Sequence, residues 1–307
     1  MKWALLAAAM LLGSAAAADT PSILPGADPF ALADGGKLYI YPTGCGPRLD
    51  VWSQGPNGWH DDATLLTLKA ISWVRRDNEF EHYLWAPDMI AANGHYYFYY
   101  SVGPQNPKPS RLGVAICGGP EGPCTDSGKP LLTGGEGFEA IDPMVFIDPK
   151  SGTRYLFAGG SAGSKLRVFT LAPDMVTIDG EVPVDQPPAF TEGVFMHERR
   201  GIYYLSYSHG HWDRSDYSIH YAMAASPTGP WKYRGVLLAS EGKYKGPGHH
   251  SFVQDPATGD WLIVYHRWEN AHGDGPYTGD RRTAIQKLEY LPTGEIARVH
   301  MIDGVKP

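Results

Sequence analysis

Three acidic residues, each at the head of a short apolar strand, could together cleave a glycosidic bond. They are Asp28 before Pro29, Asp142 before Pro143, and Glu192 before Gly193. Hydrolysis of a glycoside needs one carboxylic acid to protonate the leaving oxygen and one carboxylate to activate water or attack carbon. A third carboxylate nearby raises the pKa of the acid by like-charge repulsion and keeps it protonated near neutral pH. Each dipeptide alone is usually a turn or a strand end, so the assignment depends on where the chain places it.

A fivefold repeat places these residues. In each unit a polar residue opens a short apolar strand, a turn follows, and a Tyr-rich strand comes next. The leading positions are 28, 88, 142, 192 and 249, so successive units lie 60, 54, 50 and 57 residues apart, room for about four strands each. Hairpin signals separate the paired strands in every unit, at Asp34-Gly35-Gly36, Asn93-Gly94, Ser151-Gly152, Arg200-Gly201 and Thr258-Gly259.

This repeat predicts an all-β fold, a five-bladed β-propeller with four-stranded blades around a central channel. A β-sandwich is the alternative, but it does not explain the fivefold return of one motif. Counts of 18 Tyr, 9 Trp, 37 Gly and 26 Pro agree with a chain of strands and turns. Because innermost strands begin beside the channel of a propeller, Asp28, Asp142, Glu192 and His249 should share one central depression.

The first 18 residues have the pattern of a secretory signal peptide. Lys2 precedes an apolar run from Trp3 to Ala18, which is shorter than the roughly 20 residues that span a bilayer. We expect residues 1–18 to be removed, residues 19–307 to form the propeller domain, and the protein to be secreted or periplasmic. A net charge of -7 argues against nucleic acid or an anionic membrane as a partner.

Three cysteines cannot all pair with one another. Cys117 and Cys124 bracket a turn-rich segment that could close a small disulfide loop in an oxidising compartment, leaving Cys45 over. Three reduced thiols are the alternative, and the sequence does not decide between them.

Five short motifs in register at the blade spacing resemble glycoside hydrolase family 43. They are Ala27-Asp28-Pro29, Trp85-Ala86-Pro87-Asp88, Ile141-Asp142-Pro143, Thr191-Glu192-Gly193 and Gly248-His249-His250-Ser251. The resemblance covers nearly the whole chain after residue 18 and implies a five-bladed propeller that acts with inversion of configuration. It implies Asp28 as general base, Asp142 as pKa modulator and orienting residue, and Glu192 as general acid.

The resemblance also bears on metal binding. His249 matches the family histidine of the Gly-His-x-Ser motif, which often helps to hold a water-rich calcium ion on the channel axis. A histidine that is hydrogen-bonded near the axis without metal is the alternative, because calcium prefers oxygen ligands. The chemistry itself requires no cofactor, so calcium is expected only in a structural role.

Sugar sites need aromatic platforms, because the C–H faces of a sugar ring pack against flat side chains. Trp85 matches the Trp-Ala-Pro motif of the family and is expected below the terminal sugar, with a buried core position as the alternative. Arg281 or Arg282 resembles the family's late arginine that reaches toward the channel. The expected substrate-binding residues are Trp85, Phe30, Trp212, Arg281 and His249.

Substrate choice is less constrained than the chemistry, because loops rather than the three carboxylates select the sugar. The segment from Ser208 to Trp212 could narrow the channel into a pocket that favours exo action. We expect an exo-acting enzyme that releases arabinofuranose or xylose from plant polysaccharides or oligosaccharides. The alternatives are a propeller glycosidase acting on galactan, galactofuranosides or fructans, and a propeller that binds sugar without cleaving it. Oligomeric state is left open.

Overall fold

Five antiparallel β-sheets stand in a ring, and the innermost strand of each contacts those of its neighbours. The computed structural model describes residues 21–44, 46–76, 81–105, 108–161 and 163–301. Residues 1–18, where a signal peptide is predicted, and Cys45 lie outside these ranges. Within them, no helix is long and apolar enough to cross a membrane. The predicted five-bladed β-propeller is confirmed.

The first four blades follow one another along the chain. Blade one, from the channel outwards, consists of β2 (Ala27–Asp34), β3 (Lys37–Thr43), β4 (Arg48–Gly55) and β5 (Gly58–Thr67). Two 3₁₀ helices follow it, Leu68–Ala70 and Val74–Arg76. Blade two consists of β6 (Leu84–Ala92), β7 (His95–Val102), β8 (Arg111–Cys117) and an outer edge divided between β9 (Cys124–Asp126) and β10 (Leu132–Thr133).

Blades three and four have four strands each. Blade three consists of β11 (Met144–Ile147), β12 (Arg154–Ala158), β13 (Arg167–Leu171) and β14 (Ile178–Val182). Blade four consists of β15 (Glu192–Arg199), β16 (Ile202–His209), β17 (Ser218–Ala224) and β18 (Lys232–Leu238).

Blade five joins the two ends of the domain. Its inner strands are β19 (Tyr244–Gln254), β20 (Trp261–Glu269) and β21 (Arg282–Lys287), and its outermost strand is β1 (Ser22–Pro25), which pairs antiparallel with β21. The strand that precedes blade one therefore completes blade five, and this closes the ring.

A disulfide lies at the outer edge of blade two. Cys117 of β8 and Cys124 of β9 are directly opposite one another in the ladder, and their sulfur atoms are bonded. The pairing that the sequence left open is therefore present in the structure.

A residue with a left-handed backbone lies near the start of the innermost strand in blades one to four and at the sixth residue of β19 in blade five, and we call it the head of its strand. These residues are Asp28 (φ 45°), Ala86 (φ 47°), Asp142 (φ 54°), Gly193 (φ 61°) and His249 (φ 35°). In blades one, two, four and five the pairing register between the first and second strands shifts at this point, which indicates a β-bulge. Proline follows the head in blades one to three, where it costs no ladder hydrogen bond.

The heads are anchored by a recurring contact between blades. In four blades the backbone N–H of the head donates to a side chain on the second strand of the preceding blade. The pairs are Asp28 with His266 Nδ1 at 3.0 Å, Ala86 with Thr43 Oγ1 at 2.8 Å, Asp142 with Ser101 Oγ at 2.9 Å, and His249 with Ser208 Oγ at 2.8 Å. Gly193 instead donates to Asp142 Oδ2, at 2.9 Å.

This geometry corrects the repeat frame read from the sequence in two blades. The leading positions 88 and 192 are wrong, because the structural equivalents of Asp28 are Ala86 and Gly193. Glu192 stands one residue before the bulge, opposite Ser208, as Trp85 stands opposite Ser101. The apolar pattern marks the strand but not the extra residue of the bulge, so it misplaced the head by one or two residues.

Asp88 lies further along β6, in the protein interior. Its Oδ2 accepts the Val145 N–H at 3.0 Å, and its Oδ1 has no hydrogen-bond partner among the described residues. Burial raises the pKa of Asp88 to about 8. The side chain is therefore protonated in the native state at neutral pH.

Replacing Asp88 with Asn should make stability less dependent on pH. An unfolded aspartate ionises near about pH 4, so the native protein loses stability as the pH rises from there toward the native pKa of about 8. Asn accepts the same N–H but does not ionise. In denaturant unfolding, the free energy of unfolding of Asp88→Asn should rise relative to that of wild type between about pH 5 and about pH 8. Asp62→Asn, at an exposed position, is the control. Parallel curves for wild type and Asp88→Asn would contradict this account.

Candidate active site

A cavity of about 330 Å³ lies where the innermost strands begin. Other grooves, of about 480 and 620 Å³, each carry one carboxylate, whereas this cavity carries three. The structure thus brings Asp28, Asp142, Glu192 and His249 together in one depression. The lining residues are Asp28, Trp85, Gln105, Ile141, Asp142, Ser161, Glu192, Trp212, His249 and Arg281.

Asp28 is buried but surrounded by cationic and imidazole groups. Arg281 Nη1 lies 3.0 Å from Asp28 Oδ1, and the nearest nitrogens of His266 and His249 lie 3.2 and 3.6 Å from the same oxygen. Burial opposes ionisation, but Arg281, His249 and His266 outweigh it and hold the pKa of Asp28 well below its usual range. The carboxylate is therefore ionised across the neutral and mildly acidic range, as a proton acceptor must be.

Asp142 experiences the opposite environment. Its Oδ2 accepts the Gly193 N–H at 2.9 Å and lies 3.5 Å from His249 Nδ1. Burial, together with the negative charges of Glu192 and Asp28, raises the pKa of Asp142 to about 7 against the opposing effect of His249. The group of carboxyls around Asp142 therefore retains a proton close to neutral pH.

Glu192 is held by two hydroxyl groups. Ser161 Oγ donates to Oε2 at 2.7 Å, and Tyr217 Oη donates to Oε1 at 2.8 Å. Gly160 gives the acidic side chain its room, because a Cβ there would lie 2.3 Å from the Cβ of Glu192. Ser161 and Tyr217 were missed by sequence reasoning, which worked from the repeated motifs and from aromatic and arginine residues. Both lie outside the repeated motifs, and no pattern in the sequence marks them.

His249 lies between two of the carboxylates. Its Nδ1 is 3.6 Å from Asp28 Oδ1 and 3.5 Å from Asp142 Oδ2. These distances are too long for strong hydrogen bonds but short enough for electrostatic coupling. The imidazole is therefore placed to link the two acidic groups.

The described side chains do not by themselves form a calcium site. Calcium takes about six to eight oxygen ligands, and nowhere in the described ranges are three or more His, Cys, Asp or Glu side chains arranged to hold a metal ion. A calcium ion beside His249 would depend on water for most of its ligands. Calcium binding therefore stays a prediction from the family resemblance.

Thermal unfolding tests the calcium prediction directly. An ion that binds only the native state raises the melting temperature by mass action. If calcium occupies the channel, a chelator should lower the melting temperature and added calcium should restore it, whereas magnesium should not. An unchanged melting curve together with full activity after chelation would rule out a structural calcium ion.

Two tryptophans line the cavity from different blades. Trp85 stacks on Tyr83, with ring centroids 5.5 Å apart and planes 4° from parallel. It lies over Gly103, where a Cβ would be 2.3 Å from the indole. Trp212 is 40% exposed, stacks on Trp268 at 6.1 Å, and is therefore available to a ligand.

Phe30 is not among the residues that line the cavity. Its ring packs against Tyr41 and Phe195, with centroids 6.4 and 6.3 Å away. The expected substrate contact at Phe30 is therefore not supported, because the residue lies two positions beyond the head of its strand. There its side chain joins the packing between blades.

The structure distinguishes the two late arginines that the sequence left as alternatives. Arg281 lines the cavity, contacts Asp28, and has its guanidinium 4.9 Å from the centre of the Trp212 ring. Arg282 instead reaches Ser22 Oγ, at 3.5 Å, on the outermost strand of blade five. Arg281 therefore joins a carboxylate to the exposed aromatic ring.

Three buried carboxylates share one cavity, and the pKa of Asp28 is lowered while that of Asp142 is raised. These are the groups that hydrolysis of a glycoside requires. The chain matches the model of glycosyl hydrolases family 43 over residues 22–296. It is 31% identical to a β-D-galactofuranosidase of Aspergillus niger, over 92% of this chain and 86% of that protein. It is 30% identical to the xylosidase/arabinosidase 43A of Humicola insolens, over 88% of this chain and 95% of that protein.

Solved structures agree with these relatives. The crystal structure of a thermostable family-43 glycoside hydrolase is similar with a TM-score of 0.77 and 26% identity, covering 94% of this chain and 98% of that one. The GH43_1 enzyme of Xanthomonas citri complexed with xylotriose has a TM-score of 0.73 and 27% identity, covering 92% of both chains. The chain belongs to glycosyl hydrolases family 43.

Replacing Arg281 with Gln should move the acidic limb of the pH–activity profile upward. Without the guanidinium, the pKa of Asp28 rises, so the carboxylate takes up a proton earlier as the pH falls. We expect a shift of about one pH unit or more, measured as kcat/KM against pH. Arg282→Gln removes the same charge one residue away and should leave the limb in place. An acidic limb that is the same in Arg281→Gln and wild type would contradict the assignment.

Proposed function

We propose that the protein is an inverting, exo-acting glycoside hydrolase that releases arabinofuranose or xylose from plant polysaccharides or oligosaccharides. The observation that carries the proposal is the contrast between Asp28, whose pKa is held low, and Asp142, whose pKa is raised to about 7, in one cavity. Asp28 can therefore act as a base, while the coupled carboxyls Asp142 and Glu192 together keep one proton near neutral pH, and we propose that Glu192 delivers it. The xylosidase and arabinosidase relatives support the choice of sugar.

Asp28 is the general base in this proposal. Arg281 keeps it ionised, so it can accept a proton from a water molecule in the cavity. The oxygen of that water forms a bond to the anomeric carbon while the bond from that carbon to the leaving oxygen breaks. Inversion follows because water attacks from the face opposite the leaving group.

Glu192 is the general acid. It gives its proton to the leaving oxygen as the glycosidic bond breaks, so the charge on the departing sugar is neutralised. Asp142 lies beside it, oriented by the Gly193 N–H. The negative charge of Glu192 helps to raise the pKa of Asp142, so the two carboxyl groups are coupled and share the proton that the reaction uses. Asp142 is therefore proposed to modulate the acid rather than to react.

Exo action is supported by the shape of the cavity. Trp212 lies on a segment that is tied to the loop before Arg281 by the Tyr277 N–H to Asp213 O bond at 2.8 Å and by the Ser215 Oγ to Asp274 Oδ1 bond at 2.7 Å. The two loops support each other beside the cavity. A volume of about 330 Å³ suits one or two sugar rings better than a long chain.

A second candidate function is hydrolysis of galactofuranosides, which the Aspergillus niger relative favours. α-L-Arabinofuranose and β-D-galactofuranose share the configuration of the furanose ring and differ by one hydroxymethyl group. A site for one therefore needs little additional room for the other. Which sugar is cleaved faster depends on the space next to the exocyclic carbon.

A parallel assay separates these substrates. Nitrophenyl α-L-arabinofuranoside, β-D-xylopyranoside and β-D-galactofuranoside should be compared by kcat/KM with the purified protein. The anomer first released should be identified by NMR before mutarotation. Initial release of the inverted anomer of arabinose or xylose is the expected result. Retained configuration, or no release from any substrate, would contradict the proposal.

Export is proposed as well. The Cys117–Cys124 disulfide supports it, because disulfides persist in oxidising compartments and are rare in the cytosol. Fractionation of the native host into cytoplasm, periplasm and medium, with detection by antibody, tests the location.

Separate variants of the three carboxylates should fail in different ways. Glu192→Gln removes the proton donor, so natural linkages should lose about 10²- to 10⁴-fold in kcat while substrates with good leaving groups keep slow turnover. Asp28→Asn removes the group that activates water, so both substrate types should be lost alike. Asp142→Asn should shift the alkaline limb of the pH profile toward acid. Equal loss on both substrate types in Glu192→Gln, or near-normal activity in Asp28→Asn, would contradict the roles.

A further inference from the structure

Tyr217 contacts Glu192 from the side that faces away from the cavity. Its side chain is 1% exposed and does not line the cavity, yet its hydroxyl donates to Glu192 Oε1 at 2.8 Å. Ser161, which does line the cavity, holds Oε2 at 2.7 Å. The two oxygens of the carboxyl group are therefore different, because Oε1 is held from the interior and Oε2 from the cavity side.

The ring of Tyr217 also connects Glu192 to the opposite side of the site. It stacks on His266, with centroids 5.8 Å apart and planes 6° from parallel. Nδ1 of His266 accepts the backbone N–H of Asp28 at 3.0 Å, and the side chain is fully buried. Asp28 and Glu192 are thus attached to the two members of one stacked pair, which we call the Tyr217–His266 stack.

The stack has no room to shift. Gly248 lies opposite His266 in the ladder of blade five, and a Cβ at Gly248 would be 1.9 Å from the Tyr217 ring. Ser208 forms a second hydrogen bond with the Tyr217 hydroxyl and also accepts the His249 N–H at 2.8 Å. Ring and hydroxyl are therefore both restrained by blades four and five.

The phenol remains a donor throughout the working range. Burial, with the charges of Glu192 and neighbouring carboxylates, raises the pKa of Tyr217 well above its usual value. A phenol that stays protonated donates to the carboxylate form of Glu192 and stabilises that form once its proton has left.

We propose that Tyr217, supported by His266, is a positioning residue that fixes Glu192 through Oε1 and so leaves Oε2 to carry the transferred proton. The inference rests on the proposed function, in which Glu192 is the general acid. Its physical basis is distance: the separation of the two carboxyl groups decides whether a water molecule fits between the base and the sugar. A rigid aromatic pair between acid and base holds that separation.

Tyr217→Phe is the direct test, because it removes the hydroxyl and keeps the stacked ring. We expect kcat on natural linkages to fall about ten- to hundredfold with little change in KM, since a hydrogen bond to a charged group is lost. Activated nitrophenyl substrates should lose much less. The alkaline limb of the pH profile should move to higher pH, because the ionised form of the acid is no longer stabilised.

Tyr207→Phe is the matched control. Tyr207 lies in the same blade, is fully buried, and donates to the Pro188 carbonyl at 2.7 Å rather than to a carboxylate. The pH–activity profile of Tyr207→Phe should keep both limbs where they are in wild type. The ratio of kcat on natural substrates to kcat on activated substrates should also be unchanged. The positions of the limbs do not depend on how much of a variant is folded, so they remain informative if either variant is less stable.

His266→Phe tests the other end of the stack. A flat ring remains below Tyr217, but the Asp28 N–H loses the nitrogen that accepts it, so Asp28 is no longer held in place against Arg281, which keeps its pKa low. The acidic limb of the pH–activity profile should move to higher pH while the alkaline limb stays in place. In Tyr217→Phe, by contrast, the alkaline limb moves and the acidic limb stays. If Tyr217→Phe loses activity equally on both substrate types with unmoved limbs, its role is only structural and the inference is wrong. If wild type shows no glycosidase activity, the proposed function fails instead.

Discussion

The hydrogen bond from the left-handed residue at each strand head to the preceding blade is the interaction on which the site depends. It fixes the backbone where the chain leaves the strand ladder, so the side chain of the head projects into the cavity at a defined angle. In blades one and three that side chain is Asp28 or Asp142. In blade four the same backbone N–H, that of Gly193, is used to orient Asp142 itself. One backbone device thus serves both blade packing and catalytic geometry.

Charge is distributed unevenly around a small volume. Arg281 is placed against Asp28, whereas Asp142 has only the Gly193 N–H and the shared His249 to offset its burial. The consequence is that acidic groups of similar intrinsic acidity differ in proton occupancy near neutral pH. His249 reaches toward both and couples them, so a change at one carboxylate is felt at the other.

The sequence was sufficient to predict the architecture and the presence of three carboxylates in one cavity, because a fivefold period and a motif in each unit are properties of the chain itself. It misplaced the heads in blades two and four, since a bulge adds a residue without changing the apolar pattern. It assigned Phe30 to the substrate when its ring belongs to the packing around Phe195. The sequence did not identify Tyr217 and His266, because their contacts with Glu192 and Asp28 depend on the packing of blade four against blade five. Such long-range pairings leave no local pattern.

Closure of the ring by β1 determines the order in which the protein can mature. Blade five needs the first strand of the domain and three of its last strands, so it cannot form until nearly the whole chain has been synthesised. The N–H of Gly26 bonds to the carbonyl of Arg281 at 3.1 Å, directly beside the guanidinium that reaches Asp28. The electrostatic environment of Asp28 is therefore among the last features to be assembled. Under the proposed export, a chain that crosses a membrane unfolded would therefore have no assembled site until it has emerged and folded.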